Sequence, residues 1–396
     1  MKRVYPEPGA VANPTRNFSG ELDELCRAKV AELLQAYLEA EVDELFGRER
    51  YARGDGRSAG YRDGHDPERT VISAIGPLPI RRPRVRGTQH ESKLLPKYRR
   101  RLPSIDKTIH QLWIEGLAHR DFEPTLRGLL GVEAPLTAST IARVNAEYGA
   151  EFDAWKRRRL ESEHFVYLWA DGVHLGAGPK DERRVLLVLI GADACGVKHL
   201  LALDEAMTES ELSWAELFED LKTRGLREPS LMIADGAHGL WAATTKAFPS
   251  AQQQRCWLHK NRNVLDKIPE KQQPRVLEEL RSIVAAPNES EARSRIETLA
   301  QSLQREYPKA AACVRDDVDR MVTFFRFPQP SWKSLRTTNP IESIFASVRL
   351  RTDAARRLRT GASATYLLFK LIQRLSTGWH RINGYRTLAL ENAKAA

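Results

Sequence analysis

The sequence predicts an α/β core interrupted by a helical stretch and preceded by a mainly helical N-terminal region. Three observations carry this. Phe165–Trp169, Val185–Ile190, His199–Leu203 and Ser230–Ala234 are compact apolar runs of strand length, with a helical pattern at Trp214–Leu226 before the fourth. Residues 261–326 turn helical throughout. Near the start, Leu22, Leu25, Cys26, Val30, Leu33, Leu34, Tyr37, Leu38, Val42 and Leu45 recur at helical spacing.

The elements follow in order. Residues 1–20 have no periodicity and read as a tail; one long amphipathic helix then covers 22–45. The stretch 51–58 is polar and Gly-rich, a loop. Thr70–Ile75 and Pro79–Val85 read as two short strands around Gly76-Pro77, the second carrying Arg81, Arg82, Arg84 and Arg86 and held to an edge by Pro83. Ser104 is placed to cap a helix over Ile105–Glu115. A second helix runs from about Arg120 to Leu130, and a third from Thr137 or Ser139 toward Arg159. Two short helices and a long one with tight turns suit a helix-turn-helix, or equally a plain three-helix bundle. After the α/β strands come a helix over Leu240–Phe248 and a short strand near Gln254–Leu258, and Asn288 with Glu291 makes a capping-box pair in the helical stretch. The expected organisation is 1–103, 104–160, 161–260, 261–330 and 331–396.

Composition narrows the function. The 396 residues hold 62 Lys+Arg against 52 Asp+Glu, a surplus of +10, which favours a polyanionic partner such as nucleic acid. Hydrophobic residues make up 42%, enough to exclude wholesale disorder. The four cysteines are scattered, so a disulfide framework is not expected and a reducing cytoplasm is. The N-terminus lacks an apolar signal segment, and no apolar run reaches bilayer length.

Three carboxylates stand at element ends. Asp171 follows the first core strand and precedes Gly172; Asp235 follows the fourth and precedes Gly236. Side chains at strand ends can converge on one crevice, although Asp-Gly is also a good turn dipeptide. Asn339-Pro340-Ile341-Glu342 reads as a capping box with Pro at the first helical position. Together, two Asp and a Glu in that order offer the hard oxygen donors that a pair of Mg²⁺ (or Mn²⁺) ions requires for phosphodiester chemistry.

The sequence also resembles a known family, the bacterial insertion-sequence transposases related to the plant Mutator elements. The resemblance runs from about residue 20 to 385. Its motifs are Trp169-Ala170-Asp171-Gly172, Ala234-Asp235-Gly236-Ala237-His238-Gly239-Leu240-Trp241, Gln254-Arg255-Cys256-Trp257-Leu258-His259-Lys260 and Arg336-Thr337-Thr338-Asn339-Pro340-Ile341-Glu342-Ser343. It implies a ribonuclease-H-like core with an all-helical insertion between the second Asp and the Glu. It makes Asp171, Asp235 and Glu342 the catalytic and metal-holding triad, with Asp171 bridging two ions. Water would cut a phosphodiester at the element end, and the freed 3′ hydroxyl would attack another. The partners implied are terminal inverted repeats and target DNA, bound by a homodimer or higher oligomer at the bacterial nucleoid. Thr352-Asp353-Ala354-Ala355 departs from the Lys-Gly usual in the family at that place.

Other candidates weigh less. Arg81, Arg82, Arg84 and Arg143 are candidate DNA contacts, as are Arg349 and Arg351, which with Arg356, Arg357 and Arg359 form either a phosphate clamp or a solvated face. Cys256 and His259 offer half a zinc site; no second pair lies at ligand spacing, so zinc is not expected, and a structural or DNA-contacting role is. His174, His199 and His238 should satisfy local hydrogen bonds, and Trp241, Trp257 and Trp332 should be core. The competing readings are a non-enzymatic helix-turn-helix regulator and a plain ribonuclease-H-like nuclease that does not join strands.

Overall fold

The computed structural model describes residues 18–48, 60–115, 117, 121–130, 138–174, 185–355 and 361–388. The chain divides into two compact units, 1–141 and 142–396.

The first unit starts with α1 (Phe18–Phe46), the helix that the periodicity predicts. Its buried face presses Leu34 and Leu38 against Val71, Leu78, Ile80 and Leu95. Four short strands follow: β1 (Tyr61–His65), β2 (Arg69–Ser73), β3 (Gly76–Ile80) and β4 (Pro83–Arg86). β2 and β3 form one antiparallel pair, and β1 and β4 a second. The sequence reading misses β1, whose YRDGH carries no apolar alternation. It also fuses β3 with β4, although the pairing passes from β2 to β1 between Ile80 and Pro83. The arginines there make local ion pairs: Arg81 with Glu68 at 3.3 Å and Arg86 with Asp63 at 2.8 Å. α2 (Pro103–Ile114) is capped by Leu102 rather than Ser104, because Pro103 already has the helical φ that suits the first turn. α3 (Phe122–Leu130) closes the unit, its Phe122 packed on Trp113 with ring centroids 5.8 Å apart.

α4 (Ala138–Lys156) is the third predicted helix, and from residue 142 it belongs to the second unit. That unit continues with β5 (Phe165–His174), β6 (Val185–Asp193), β7 (Lys198–Ala206), α5 (Glu211–Thr223), β8 (Leu231–Ala234), α6 (His238–Ala247), β9 (Gln252–Arg255) and α7 (Trp257–Leu265). A run of helices follows: α8 (Gln273–Val284), α9 (Glu289–Gln304), α10 (Pro308–Arg315), α11 (Val318–Val322) and α12 (Trp332–Leu335), joined by short 3-10 turns. α13 (Asn339–Ala355) and α14 (Gly361–Ser376) end it. Phe152 and Trp155 of α4 pack on Phe369 of α14 at 5.3 and 4.9 Å between ring centroids. Arg157–Arg159 lie beyond the helix end, not on it as expected. Arg158 folds back to donate to the Leu200 carbonyl at 2.7 Å, and burial lowers its pKa to about 10.

The five strands lie in the order β7-β6-β5-β8-β9. β5, β6 and β7 are antiparallel neighbours; β8 and β9 run parallel to β5. One sheet face carries Leu168, Ala170, Met232 and Ala234, covered by Trp214 and Phe218 of α5 and Leu240 and Trp241 of α6. The larger of these side chains, such as Leu168, Met232, Phe218 and Leu240, each contribute about 1.5–3 kcal/mol by leaving water. The opposite face meets the chain before α13: Trp169 Nε1 donates to the Ser334 carbonyl at 3.3 Å, and Tyr167 meets Phe327 edge-on at 5.6 Å. Alternation along β5 therefore puts Asp171, two residues past Trp169, on that second face.

The motif Gln254–Lys260 clamps the helical run to the sheet edge. Fully buried Gln254 donates to the Met321 carbonyl at 3.1 Å and accepts from Phe324 N–H at 2.7 Å. Trp257 Nε1 donates to the same Met321 carbonyl at 2.8 Å. Buried Lys260 donates to the Asp316 carbonyl, and Arg255 pairs with the Asp316 carboxylate at 2.7 Å. Buried donors and acceptors left open would cost about 1–3 kcal/mol each, so the motif specifies where the helices dock.

Candidate active site

Asp171 sits within β5, opposite Val188 of β6, rather than beyond the strand end as the sequence suggested. β5 and β8 are parallel and pair Trp169 with Ile233. The ladder ends there; Asp171 and Asp235 each follow two residues on, and Asp235 acts on the Asp171 carboxyl as a nearby like charge. Gly236, at φ +109, turns the chain away at once; a side chain there would be strained and would meet Arg255 Nε at 2.5 Å. Asp235 Oδ1 accepts from Ala237 N–H at 2.9 Å, so the turn role of Asp-Gly is real and coexists with the side chain's place near Asp171.

Glu342 comes from the first turn of α13, which packs on β5. The expected cap shifts by one residue. The Thr338 carbonyl accepts from Ile341 and Glu342 N–H at 2.9 and 3.1 Å, so Thr338 takes the place given to Asn339. The Thr338 hydroxyl donates to Glu342 Oε1 at 2.9 Å and fixes that carboxylate.

Burial raises the Asp171 carboxyl pKa to about 7. His259 opposes the rise, while Asp235, Glu209 and Glu342 add to it by like-charge repulsion. Glu209 is a fourth acidic group near Asp171 that no sequence motif marks. Its Oε1 accepts from Trp214 Nε1 at 3.2 Å. A Cβ on Gly172 would fall 2.3 Å from Glu209 Oε2, so Gly172 admits this close approach. Gly172→Ala is expected to push the flexible end of Glu209 aside at a cost of under about 1 kcal/mol. Thermal melts of Gly172→Ala in the parent and in a Glu209→Ala background should show the cost largely vanishing in the second.

Cys256, at the turn from β9 into α7, and His259 on α7 lie against Glu342. His259 Nδ1 and Cys256 Sγ stand 3.7 and 3.9 Å from Glu342 Oε1. Among the described residues, these three offer ligand atoms all within 4.8 Å of one another; Asp171, Asp235 and Glu342 together are not gathered that closely.

The remaining candidates are dispersed. Arg81, Arg84 and Arg143 are exposed and Arg82 half-buried; Arg143 pairs with Glu147 at 3.7 Å. The side chains of Arg349 and Arg351 lie outside the described residues, as do residues 356–360 and the side chain of His174. His199 meets Asp193 at 3.0 Å, and Trp241 and Trp257 are buried, as expected. No described helix is long and apolar enough to cross a membrane.

A family model described as "Transposase, Mutator family" matches residues 11–382. The transposase for insertion sequence element IS6120 of Mycolicibacterium smegmatis is 39% identical over 74% of this chain and 90% of that protein. The transposase for IST2 of Acidithiobacillus ferrooxidans is 37% identical over 63% and 86%. The transposase for ISRM5 of Rhizobium meliloti is 30% identical over 91% and 89%.

Proposed function

We propose, from the premise that this chain belongs to the Mutator family of transposases, that it cuts DNA at the ends of an insertion sequence and joins the freed 3′ hydroxyl to other DNA. Asp171, Asp235 and Glu342 form its acidic centre on a ribonuclease-H-like core. What supports this reading is the parallel β5–β8 pairing, which brings the strands that lead to Asp171 and Asp235 together, and the Asp171 carboxyl, whose pKa is raised by burial and by its acidic neighbours.

Such a carboxyl suits a divalent cation. The Asp171 carboxyl, its pKa raised by burial and by its acidic neighbours, belongs to an all-oxygen donor set that suits Mg²⁺ or Mn²⁺, and two such ions would serve two-metal chemistry. When bound, the ions supply Lewis-acid stabilisation of the attacking and leaving oxygens. The chain's own groups position. Asp171 and Asp235 hold their places through the sheet. Glu342 is steered by the Thr338 hydroxyl. Exposed arginines, Arg81 and Arg84 in the first unit and Arg143 in the second, neutralise phosphates. α2, α3 and the start of α4 have the order of a helix-turn-helix and are proposed to read the terminal repeats, with two or more copies assembled on DNA at the nucleoid.

The test is incubation of the full chain with labelled element ends and Mg²⁺. The expected products are nicks at the element boundary with 3′ hydroxyl ends, and joined strands that disappear when the 3′ end is made deoxy. Boundary nicks without joined strands would reduce the protein to a nuclease; binding without nicks would reduce it to a regulator.

A second expectation follows from Asp171. Its folded pKa of about 7 lies above the unfolded value of 3.8. Between these the folded state holds the extra proton, so the Asp171 contribution to metal-free stability falls as pH rises from 4 to 7, by on the order of a few kcal/mol. Mg²⁺ competes with that proton and binds only the folded site, so its stabilisation grows over the same window. Melting temperatures with Mg²⁺ or with chelator, at pH 5 and pH 8, should diverge more at pH 8.

A further inference from the structure

Cys256 and His259 lack a second Cys or His pair at ligand spacing in the sequence, yet folding brings them a third ligand. Glu342 Oε1 lies 3.9 Å from Cys256 Sγ and 3.7 Å from His259 Nδ1, and all three ligand atoms fall within 4.8 Å of one another. A tetrahedral Zn²⁺, at about 2.3 Å from sulfur and about 2.0 Å from nitrogen and oxygen, holds such atoms about 3.3–3.5 Å apart. The two distances to Glu342 Oε1 are therefore within about half an ångström of what an ion needs, and the sulfur–imidazole distance is no more than 4.8 Å.

We propose that Cys256, His259 and Glu342 form a site for a thiophilic divalent cation of the Zn²⁺ type, separate from the hard-ion place of the two aspartates and sharing Glu342 with it.

The frame around the three ligands is rigid. Cys256 N–H donates to the Ala234 carbonyl at 2.7 Å, which ties the cysteine to the end of β8. Trp257 N–H donates to the Arg336 carbonyl at 3.0 Å, which ties the start of α7 to the approach to α13. His259 sits one turn into α7 from Cys256, on the same face. Thr338 N–H points at Cys256 Sγ at 3.3 Å, the kind of outer donor that supports a metal-bound thiolate. Cys256 is buried, while His259 and Glu342 are partly exposed; the Thr338 hydroxyl lies 3.2 Å from Cys256 Sγ and 2.9 Å from Glu342 Oε1, and water would complete four-coordination. As the sulfur–metal bond forms, the thiol proton passes to solvent.

Soft sulfur and imidazole select this ion class over Mg²⁺, which the all-oxygen pair of aspartates suits better. Glu342 cannot serve both arrangements fully. Zn²⁺ at the thiol site therefore withdraws a carboxylate from the Mg²⁺ chemistry and inhibits cleavage; this consequence, though not the site, rests on the catalytic reading of Glu342.

The test uses the full chain with Cys26, Cys195 and Cys313 changed to Ser, leaving Cys256 as its thiol. Titration of the metal-free protein with Co²⁺ should give an intense near-ultraviolet sulfur-to-metal band and visible bands of four-coordination, saturating at one equivalent and displaced by Zn²⁺. His259→Ala should weaken binding by about tenfold or more. Adding Cys256→Ser should abolish the sulfur band, and Asp171→Asn with Asp235→Asn should leave it. The proposal is overturned if the sulfur band is missing, or if it vanishes with the two Asp→Asn changes. Should Cys256→Ser fail to fold, the band in the single-thiol protein still decides the question, because its sulfur can only be Cys256. If the Co²⁺ spectrum appears as stated but Zn²⁺ leaves Mg²⁺-dependent cleavage untouched, the site stands and the catalytic role of Glu342 falls.

Discussion

Asp171→Asn is expected to lower strand cleavage by at least about a thousandfold while making the metal-free protein more stable. The two effects have one cause. The carboxylate of Asp171 is held in a poorly hydrated place among Asp235, Glu209 and Glu342. An amide of the same shape removes the charge, its burial cost and its repulsion, so above pH 7 the variant should melt higher than the parent in chelator. The same change removes a hard anionic donor, and with it several kcal/mol of stabilisation of the reacting phosphate, each 1.36 kcal/mol being about tenfold in rate. Asp235→Asn should lose as much cleavage. Its amide oxygen still accepts from Ala237 N–H, so the turn survives. Affinity for terminal DNA, carried by Lys and Arg elsewhere, should change by less than about threefold in either variant, and it should fall steeply with salt. Cleavage assays, filter binding and melts on the same preparations check all three statements. Mg²⁺-dependent cleavage near the parent rate by either variant would remove that aspartate from the centre.

Glu342→Gln separates two roles of one side chain. The start of α13 rests on the Thr338 carbonyl, which Gln leaves alone, and the Gln amide oxygen can take the Thr338 hydroxyl as Glu342 does. Loss of stability should stay under about 1 kcal/mol, the ordinary worth of a cap. Cleavage should nonetheless fall by at least about a hundredfold, because a neutral amide is a poor partner for a hard dication. A variant that both melts and cuts like its parent would leave Glu342 a helix-start residue. Glu209, already beside Gly172, would then be the next carboxylate to replace. Glu342→Asp complements the test: the charge stays and the reach shortens.

Much of the α/β unit was legible in the sequence because its strands are buried on both faces. Val185–Ile190 reads as a continuous apolar run for that reason. β1 was not legible, since Tyr61–His65 pairs through its backbone and is at most half-buried. The aspartates stood out as residues adjoining apolar runs, but their adjacency depends on which strands pair and in what register, a tertiary fact. The cap of α13 was misplaced by one residue because Asn339-Pro340 mimics the usual signature while Thr338 has the better geometry. The contact of Glu342 with Cys256 and His259 was invisible for a different reason. It joins two helix starts separated by the whole helical run, and no local pattern encodes it.

The β5–β8 ladder has a consequence for how this enzyme can change over time. Because backbone pairing of Tyr167–Trp169 with Leu231–Ile233 fixes the register that leads to Asp171 and Asp235, that register is metered by the sheet rather than by the side chains around it. What can move it is a gain or loss of one residue within either strand. Such an indel would turn the aspartate to the opposite face, among Leu168, Ala170, Met232 and Ala234. The protein can therefore absorb wide drift in side chains within these two segments while their lengths stay frozen, and a single in-frame codon deletion between Tyr167 and Asp171 should silence it more surely than most missense changes in the same span.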